Sequence, residues 1–494
     1  MTSTFHGLEI GKRALYAQQT ALSTTGHNIS NSNTKGYTRQ RAELQATKAI
    51  PVPSMNTTTS PAQLGTGVEV NKIVRLREDY LDVQYRGENK NLGYWEAKGD
   101  TLSKVEELLN EPSETGLSHV MDQFWNSWQE LAKNPDSAAA RAVVRQSGVA
   151  VADTFNYFSN SLTQMKTDLN TVINTKTNEV NSLASQIASL NDQISRLVPN
   201  NYQPNDLYDQ RDLLLDQLSK IVNVNTVPDK NGMVTVSIGD GVLVSGNKAS
   251  KLTIGFDSAT NLIDPQNIKL VDPDQNEKTV TLESGELMGR IESYGTTKGG
   301  IIPDIQSKLN EMVNEFATAI NNQHAEGLNL NNIKGDKTPV VPFFTGTTAD
   351  TISVNSDIMK SLDLIAAASI EVTNADGTTT SSSGNGKNAQ AIADIRSKNT
   401  IDLNGTTTTI NDYFQNIIAQ LGIDSQEAGR MVGNSDVIMK QVDNRRQSVS
   451  GVSLDEETSN MIMFQQAYNA AARMVSVMDE CLDKVINGMG RVGL

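Results

Sequence analysis

The stretch "GHNISNSNTKGYTRQR", Gly26 to Arg41, interrupts a helical pattern with residues that stop helices. Asn and Gly tolerate left-handed backbone and cap helix ends, so Asn31, Asn33 and Gly36 are expected to end the preceding helix and turn the chain outward. Tyr37 then anchors the turn. Upstream, Leu8, Leu15, Leu22 and Ile29 fall seven apart, while Ile10, Ala14, Ala17 and Ala21 gather on another side of the same helix. A helix with two apolar stripes has two neighbours.

The other end of the chain carries the clearest period. Met461, Phe464, Tyr468, Ala471, Val475, Met478, Leu482, Val485 and Met489 alternate three and four apart, and Leu454 sits one heptad before the first. This spacing predicts a coiled-coil seam on a helix of about 50 Å. Ser453 with Glu456 reads as a capping box, and the acids Asp455 to Glu457 fall in the favourable first turn. Residues 1–50 carry six basic residues against two acids, and 451–494 carry three against six, so the two ends have complementary charge. Ordering either helix alone costs more than its own stripe returns, so the termini are expected to fold on assembly.

Between the ends, the pattern is helix, then sheet, then helix. Val120, Phe124, Trp125, Trp128 and Leu131 form one broad apolar face, read as core. Leu169, Ile173, Lys176, Val180, Leu183, Ile187, Leu190, Ile194 and Leu197 describe a helical rod with one polar interruption, ended by "VPNN". The period then changes to two in "GMVTVSIGDGVLVSG", and strand and turn signals continue through "KLVDPDQNEKTVTLESG". Helix resumes at "IPDIQSKLNEMVNEFATAINNQH". A polar insertion from Gly335 to Asn399 contains "NADGTTTSSSGNGKN", which reads as a turn-rich, mobile loop.

The fold class is therefore mainly α with inserted β domains, discontinuous along the chain. Terminal coiled-coil helices occupy 1–50 and 448–494. An α-helical rod domain is assembled from 51–220, 300–334 and 400–447; a β-rich outer domain spans 221–299, and 335–399 forms an irregular insertion.

Chemistry-bearing patterns are few. The net charge of −15 disfavours a nucleic-acid partner, and a single cysteine, Cys481, excludes an internal disulfide. No stretch reaches the ~18 apolar residues of a membrane span, and Lys12-Arg13 precede no signal-peptide run. Asp272, Asp274, Asn276 and Glu283 imitate a calcium loop, but Glu277 stands where that loop needs glycine, so a hairpin turn is expected. Asp206, Asp209 and Asp212, with Arg211 among them, read as partners of a helix dipole before they read as metal ligands. His6, His27, His119 and His324 lack metal-ligand spacing, and the Asn28 sequon is read as chance. The expectation is no catalytic centre, no metal and no cofactor.

"GHNISNSNTKGYTRQR", with "ALSTT" before it, resembles the N-terminal motif of the bacterial flagellar rod, hook and hook-associated axial proteins, and most closely their hook-filament junction members. "GVSLDEETSNMIMFQQAYNAAARMVSVMDECLDKVI" resembles that family's closing helix, and "NDLYDQRDLLLDQLSKIVNV" and "NNQHAEGLNLN" resemble two internal signatures. Lys35 stands where proline is common, and "MIMF" is rich in methionine. The resemblance makes His27, Asn28, Ile29, Asn31, Asn33, Gly36 and Tyr37 the motif residues. It implies terminal helices packed as an inner tube, with export by the flagellar type III apparatus and no cleaved signal. Implied partners are the flagellar hook protein, hook-associated protein 3, an export chaperone on the C-terminal helix, and other copies of the chain in the junction. Other readings are a hook or rod subunit, a secreted glycan hydrolase on an axial frame, and a cytosolic coiled-coil scaffold.

The hairpin reading makes a measurable statement. Replacing Asp272, Asp274 and Glu283 with Asn, Asn and Gln leaves thermal melting indifferent to added calcium, as in the wild type. A calcium-dependent melting shift in the wild type that vanishes in the variant would overturn it.

Overall fold

The computed structural model describes residues 5–50, 63–109, 111, 113, 116–373, 379–398, 401–403 and 406–488. Helix α1 (His6–Ser30) is followed by the antiparallel pair β1 (Gln40–Ala46) and β2 (Val68–Arg75), paired from Gln40↔Arg75 to Ala46↔Val68 with a register shift between Glu43 and Leu44. The helical body is α2 (Asp79–Leu109), α3 (Leu117–Lys133), α4 (Ala138–Leu197), α5 (Asn205–Ile221), α6 (Glu286–Tyr294) and α7 (Ile301–Ala325). Short helices α8 (Leu330–Ile333), α9 (Ser356–Lys360) and α10 (Lys387–Ala393) lead to the long α11 (Ile410–Ser450) and α12 (Leu454–Asp483). No helix among the described residues is long and apolar enough to cross a membrane.

The spine is α4, 60 residues and therefore about 90 Å long. Ser137 caps it by accepting from the Ala140 N–H, and its apolar positions, Ile173, Val180, Ile187 and Ile194 among them, are buried. Lys176, the polar interruption, pairs with Glu286 of α6 and Glu179. Near its start α4 packs on α3, whose Phe124, Trp125 and Trp128 meet Phe155, Phe316, Phe343 and Phe344 in one aromatic cluster with ring centroids about 5–6 Å apart.

Two sheets lie between residues 224 and 279, and the helix α6 follows them. Strands β3 (Val224–Pro228), β4 (Val234–Ile238), β5 (Gly241–Ser245) and β6 (Lys248–Ala249) form one antiparallel sheet in chain order. Strands β7 (Lys251–Phe256), β8 (Ile263–Val271) and β9 (Glu277–Thr279) form a second. Two asparagines on α4 fasten them to the spine: Asn191 donates to Val234 O and Gly246 O, and Asn181 bonds both the N–H and C=O of Leu252. The calcium-like stretch is the β8–β9 hairpin turn, in which Asp272 accepts from the N–H of Asn276.

The insertion 335–399 carries more order than its composition suggests. Phe343, Phe344, Ile352, Ile358, Ile365 and Ile392 are buried in the core beside α3, α4 and α7. Of the stretch read as a mobile loop, residues 374–378 lie outside the described residues. Its end is packed: Asn388 donates to Ala366 O, and a Cβ on Gly386 would lie 2.0 Å from Ala132 O. Polar composition misled because Asn388, and Asn385, which donates to Ser369 O, bond carbonyls of the chain instead of facing water.

His324 of α7 sits fully buried in this layer, its Nδ1 donating to Val341 O and its Nε2 accepting from the N–H of Ala366. Burial lowers its pKa to about 4. Since the unfolded chain binds this proton from about pH 6.5 downward, the stability due to neutral His324 is complete above pH 6.5 and lost as pH falls towards 4. Urea titrations should show the wild type losing up to about 3 kcal/mol more than His324→Gln between pH 7 and pH 4. Parallel pH dependence in the two proteins would contradict this assignment.

Candidate assembly site at the root of the terminal helices

Helices α1 and α12 pack antiparallel, because α1 presents a face of small side chains. A Cβ on Gly7 would lie 2.8 Å from Met478 Sδ, and one on Gly11 would lie 2.7 Å from Val475 Cγ2 and 3.8 Å from Ala471 O. Ala17 and Ala21 continue this buried face, and Asn28 ends it. On α12, Ala471 is buried and Phe464, Val475, Met478 and Leu482 are half-buried. Met461 and Tyr468, 37% and 36% exposed, stand at one edge of the expected seam, and Val485, 47% exposed, lies beyond Met478, the residue opposite Gly7. Met489 lies outside the described residues.

The motif after α1 folds back on itself. Asn28, 1% exposed, accepts from Tyr37 OH (2.7 Å) and Gln40 N–H (2.9 Å), and donates to Gln40 O (2.8 Å) and Glu457 Oε2 (3.0 Å). Burial, with Asp206, Asp209 and Glu457 nearby, raises the Tyr37 pKa, so the phenol stays a donor. His27 packs edge-on against Tyr37 and lies 3.4 Å from Asp206; Ile29 is half-buried. Gly36 takes the left-handed conformation at φ +83°, over Leu213. Asn31 does not: it caps with its side chain, donating to His27 O, at φ −104°. Asn33 is exposed and likewise absent from the left-handed residues.

Around this turn stands an ionic network that sequence reading did not find. Arg39 binds Glu456 and Glu457 of α12, and its N–H donates to Ser450 O. Asp209 accepts from Thr38 N–H (2.8 Å) and Arg75 (2.9 Å), and Arg75 also reaches Asp212. Arg77 grips Asp82 with two bonds, Arg86 binds Asp216, and Arg446 of α11 reaches both Asp216 and Asp82. Burial pushes Asp212 up, but Arg77, Arg75 and Arg86 more than offset it and hold it below the ordinary carboxylate range. For Asp209 burial wins, and its pKa is raised despite Arg75 and Thr38.

Asp209 and Asp212 are thus ion-pair partners, whereas Asp206 stands in the first turn of α5, where the helix-dipole reading put it, and accepts from the Gln40 side chain. Arg211 turns away, to Asn191 Oδ1 and Gly232 O. Their spacing along α5 was visible in sequence, but nothing in it pairs position 77 with 212. Among the described residues no group of three or more His, Cys, Asp or Glu side chains is placed to hold a metal ion. What this arrangement does is hold: it fixes two terminal helices to one another and to a helical body.

Two helices from opposite ends of a chain, rooted together on a helical body, are what the resemblance to flagellar axial proteins implied, and the comparisons place the chain in that class. Residues 8–38 match the sequence model of the flagella basal body rod protein, 102–338 that of the flagellar hook-associated protein FlgK helical domain, and 445–488 that of the flagellar basal body rod FlgEFG protein C-terminal. Flagellar hook-associated protein 1 of Bacillus subtilis (strain 168) is 41% identical over 525 residues, covering 99% of each chain. The Salmonella typhimurium protein of that name is 26% identical over 96% of this chain and 98% of its own. In fold, the chain is similar to the flagellar hook junction protein FlgK from Burkholderia pseudomallei, with a TM-score of 0.63 at 15% identity over 76% of this chain and 100% of that one. The chain belongs to the flagellar hook-associated protein 1 family.

Asn28→Ala strands Tyr37 OH, the Gln40 backbone and Glu457 together, a loss on the order of 2–4 kcal/mol. Hydrogen exchange should quicken in α1 and the first turns of α12, while melting of the aromatic core stays unchanged. Unaltered exchange in α1 would remove Asn28 from its place as the root of the pair.

Proposed function

We propose that this chain is a non-enzymatic subunit of the junction between hook and filament, exported through the flagellar type III apparatus and assembled through its terminal helices. In this reading 1–50 and 448–494 form the inner unit, and 51–220, 300–334 and 400–447 the helical body. Residues 221–299 form the outer part, and the insertion 335–399 packs on the helical body. Its partners are the hook protein, hook-associated protein 3, neighbouring copies in the junction, and an export chaperone on the C-terminal helix.

One observation carries the reading. The α12 seam is wider and longer than the face α1 covers, so Met461 and Tyr468 at its side and Val485 beyond its end stay exposed on a helix whose root is locked by buried polar bonds. Exposed large apolar side chains aligned on one helix are costly in an isolated chain and useful in an assembly. The ionic root fixes the direction in which that surface points.

The test loads the seam. Val475→Asp with Met478→Asp places two carboxylates against apolar neighbours, at several kcal/mol each unless water enters. Arg473→Ala with Glu480→Ala is the exposed control and costs little. The seam variant should keep a normally folded protease-resistant body, bind the chaperone weakly and fail to restore filaments to a strain lacking the protein, while the control restores swimming. Normal motility from the seam variant would sink the reading.

A further inference from the structure

Two outward rows of the helical body face solvent, one on α4 and one on α11. Opposite the buried Phe155, Phe158 and Leu162, α4 shows Asp153, Tyr157, Asn160, Gln164 and Asp168, all exposed. Opposite the buried Ala428, Ser435 and Val442, α11 shows Arg430, Asn434, Val437, Gln441 and Arg445, likewise exposed. Both rows advance by four, three, four and four residues, and each carries one sign of charge at its two ends. Acid stands 15 residues from acid on α4 and base 15 residues from base on α11, about 22 Å in either helix. None of these four charges has an ion pair among the described residues, whereas Lys440 pairs with Asp436 and Arg446 with Asp443 beside them. Tyr157 and Val437, 61% and 65% exposed, are among the apolar side chains left most open. Next to Asn434, a Cβ on Gly433 would meet nothing within 4 Å, a hollow at the level that Tyr157 takes in the other row.

The rows lie at opposite borders of the body. Helices α5, α6 and α7 pack on α4 and also on α2 or α11, so they stand between the two. The rows also run the same way. Helix α5 returns against α4, with Arg211 at Asn191; α2 runs along α5, with Arg86 at Asp216 and Glu96 at Lys220; and α11 returns against α2, with Arg446 at Asp82 and Ser425 at Glu106. Building on the assembly reading above, we infer that α4 of one copy lies beside α11 of the next in the same direction, with Asp153 against Arg430 and Asp168 against Arg445. Between these ends Tyr157 meets Gly433 and Asn434, and Asn160 meets Val437. Glu427, one turn before Arg430, falls outside the matched span. A second copy is the occupant that the charges select: a chain of net charge −15 repels itself, and contact is favoured where an acidic row meets a basic one. Two different faces meet, so repetition builds a ring or a helix of copies and not a closed pair.

Charge exchange in the full chain, expressed in a strain lacking the protein, tests the contact. Asp153→Lys with Asp168→Lys, and separately Arg430→Glu with Arg445→Glu, set like charges face to face. Each pair should reduce swimming about fivefold or more while thermal melting stays that of the wild type. A chain with all four substitutions faces opposite charges again and should recover about half the wild-type rate or more. Undiminished swimming in either pair variant, or no recovery with all four, overturns the contact. Cross-linking reads the register: in a Cys481→Ser background, Asn160→Cys with Val437→Cys should give a ladder of multimers when isolated flagella are oxidised, and either cysteine alone should give none. Flagella that contain the double variant without a ladder, or dimers from Asn160→Cys alone, overturn the pairing of α4 with α11 and leave the assembly reading standing. That reading falls instead on filaments formed by the seam variant.

Discussion

The carboxamide of Asn28 is the point on which the terminal architecture turns. Its oxygen accepts two hydrogen bonds and its nitrogen donates two, so a buried amide is fully satisfied by Tyr37, Gln40 and Glu457. No other side chain fits the same four partners. Aspartate would lose both donors and set a second carboxylate beside Glu457, and glutamine would carry the group one methylene too far. The chain leaves α1 where it does because this amide needs Gln40 to come back to it, and Gly36 supplies the left-handed step that lets it return.

From that point, order passes to the body through charge. Each arginine of the root bridges different elements: Arg75 joins the hairpin to α5, and Arg446 joins α11 to both α2 and α5. Buried ion pairs add little net stability, because desolvation offsets the attraction. Removing one partner, however, strands a charge at a cost of about 3–5 kcal/mol. A tilt of the terminal pair that broke Arg75 from Asp209 and Asp212 would meet that cost at once. The cluster therefore makes one orientation of the terminal helices far cheaper than its neighbours.

Period was legible in the sequence and pairing was not. The α4 rod, the two sheets and the α12 seam all follow from spacing of apolar residues, since burial of one face imposes its own rhythm. The ionic root leaves no such trace: Arg77 and Asp212 are 135 positions apart, and Asp209 and Asp212 of α5 have a local explanation that is sufficient without being correct. Asn31 and Asn33 show a related limit, because left-handed tolerance is a permission, and here only Gly36 among the motif residues uses it. The 335–399 segment failed in the opposite sense. Its polar composition concealed Asn385 and Asn388, whose amides bond neighbouring chain inside the core.

The seam itself shows why one chain cannot exhaust the information in its own sequence. Spacing assigned Met461, Phe464, Tyr468, Ala471, Val475 and Met478 to a single stripe, and within one chain that stripe divides: Phe464, Ala471, Val475 and Met478 turn towards α1, while Met461 and Tyr468 stand at its edge. The half facing α1 is small-sided on the α1 face, which sets close approach and leaves no room for a third helix between them. Phe464 and Met478, which face α1, are of the same kind as Tyr468 and Met461 at the edge, so what divides the stripe is the narrow glycine and alanine face of α1 and no change in α12 itself.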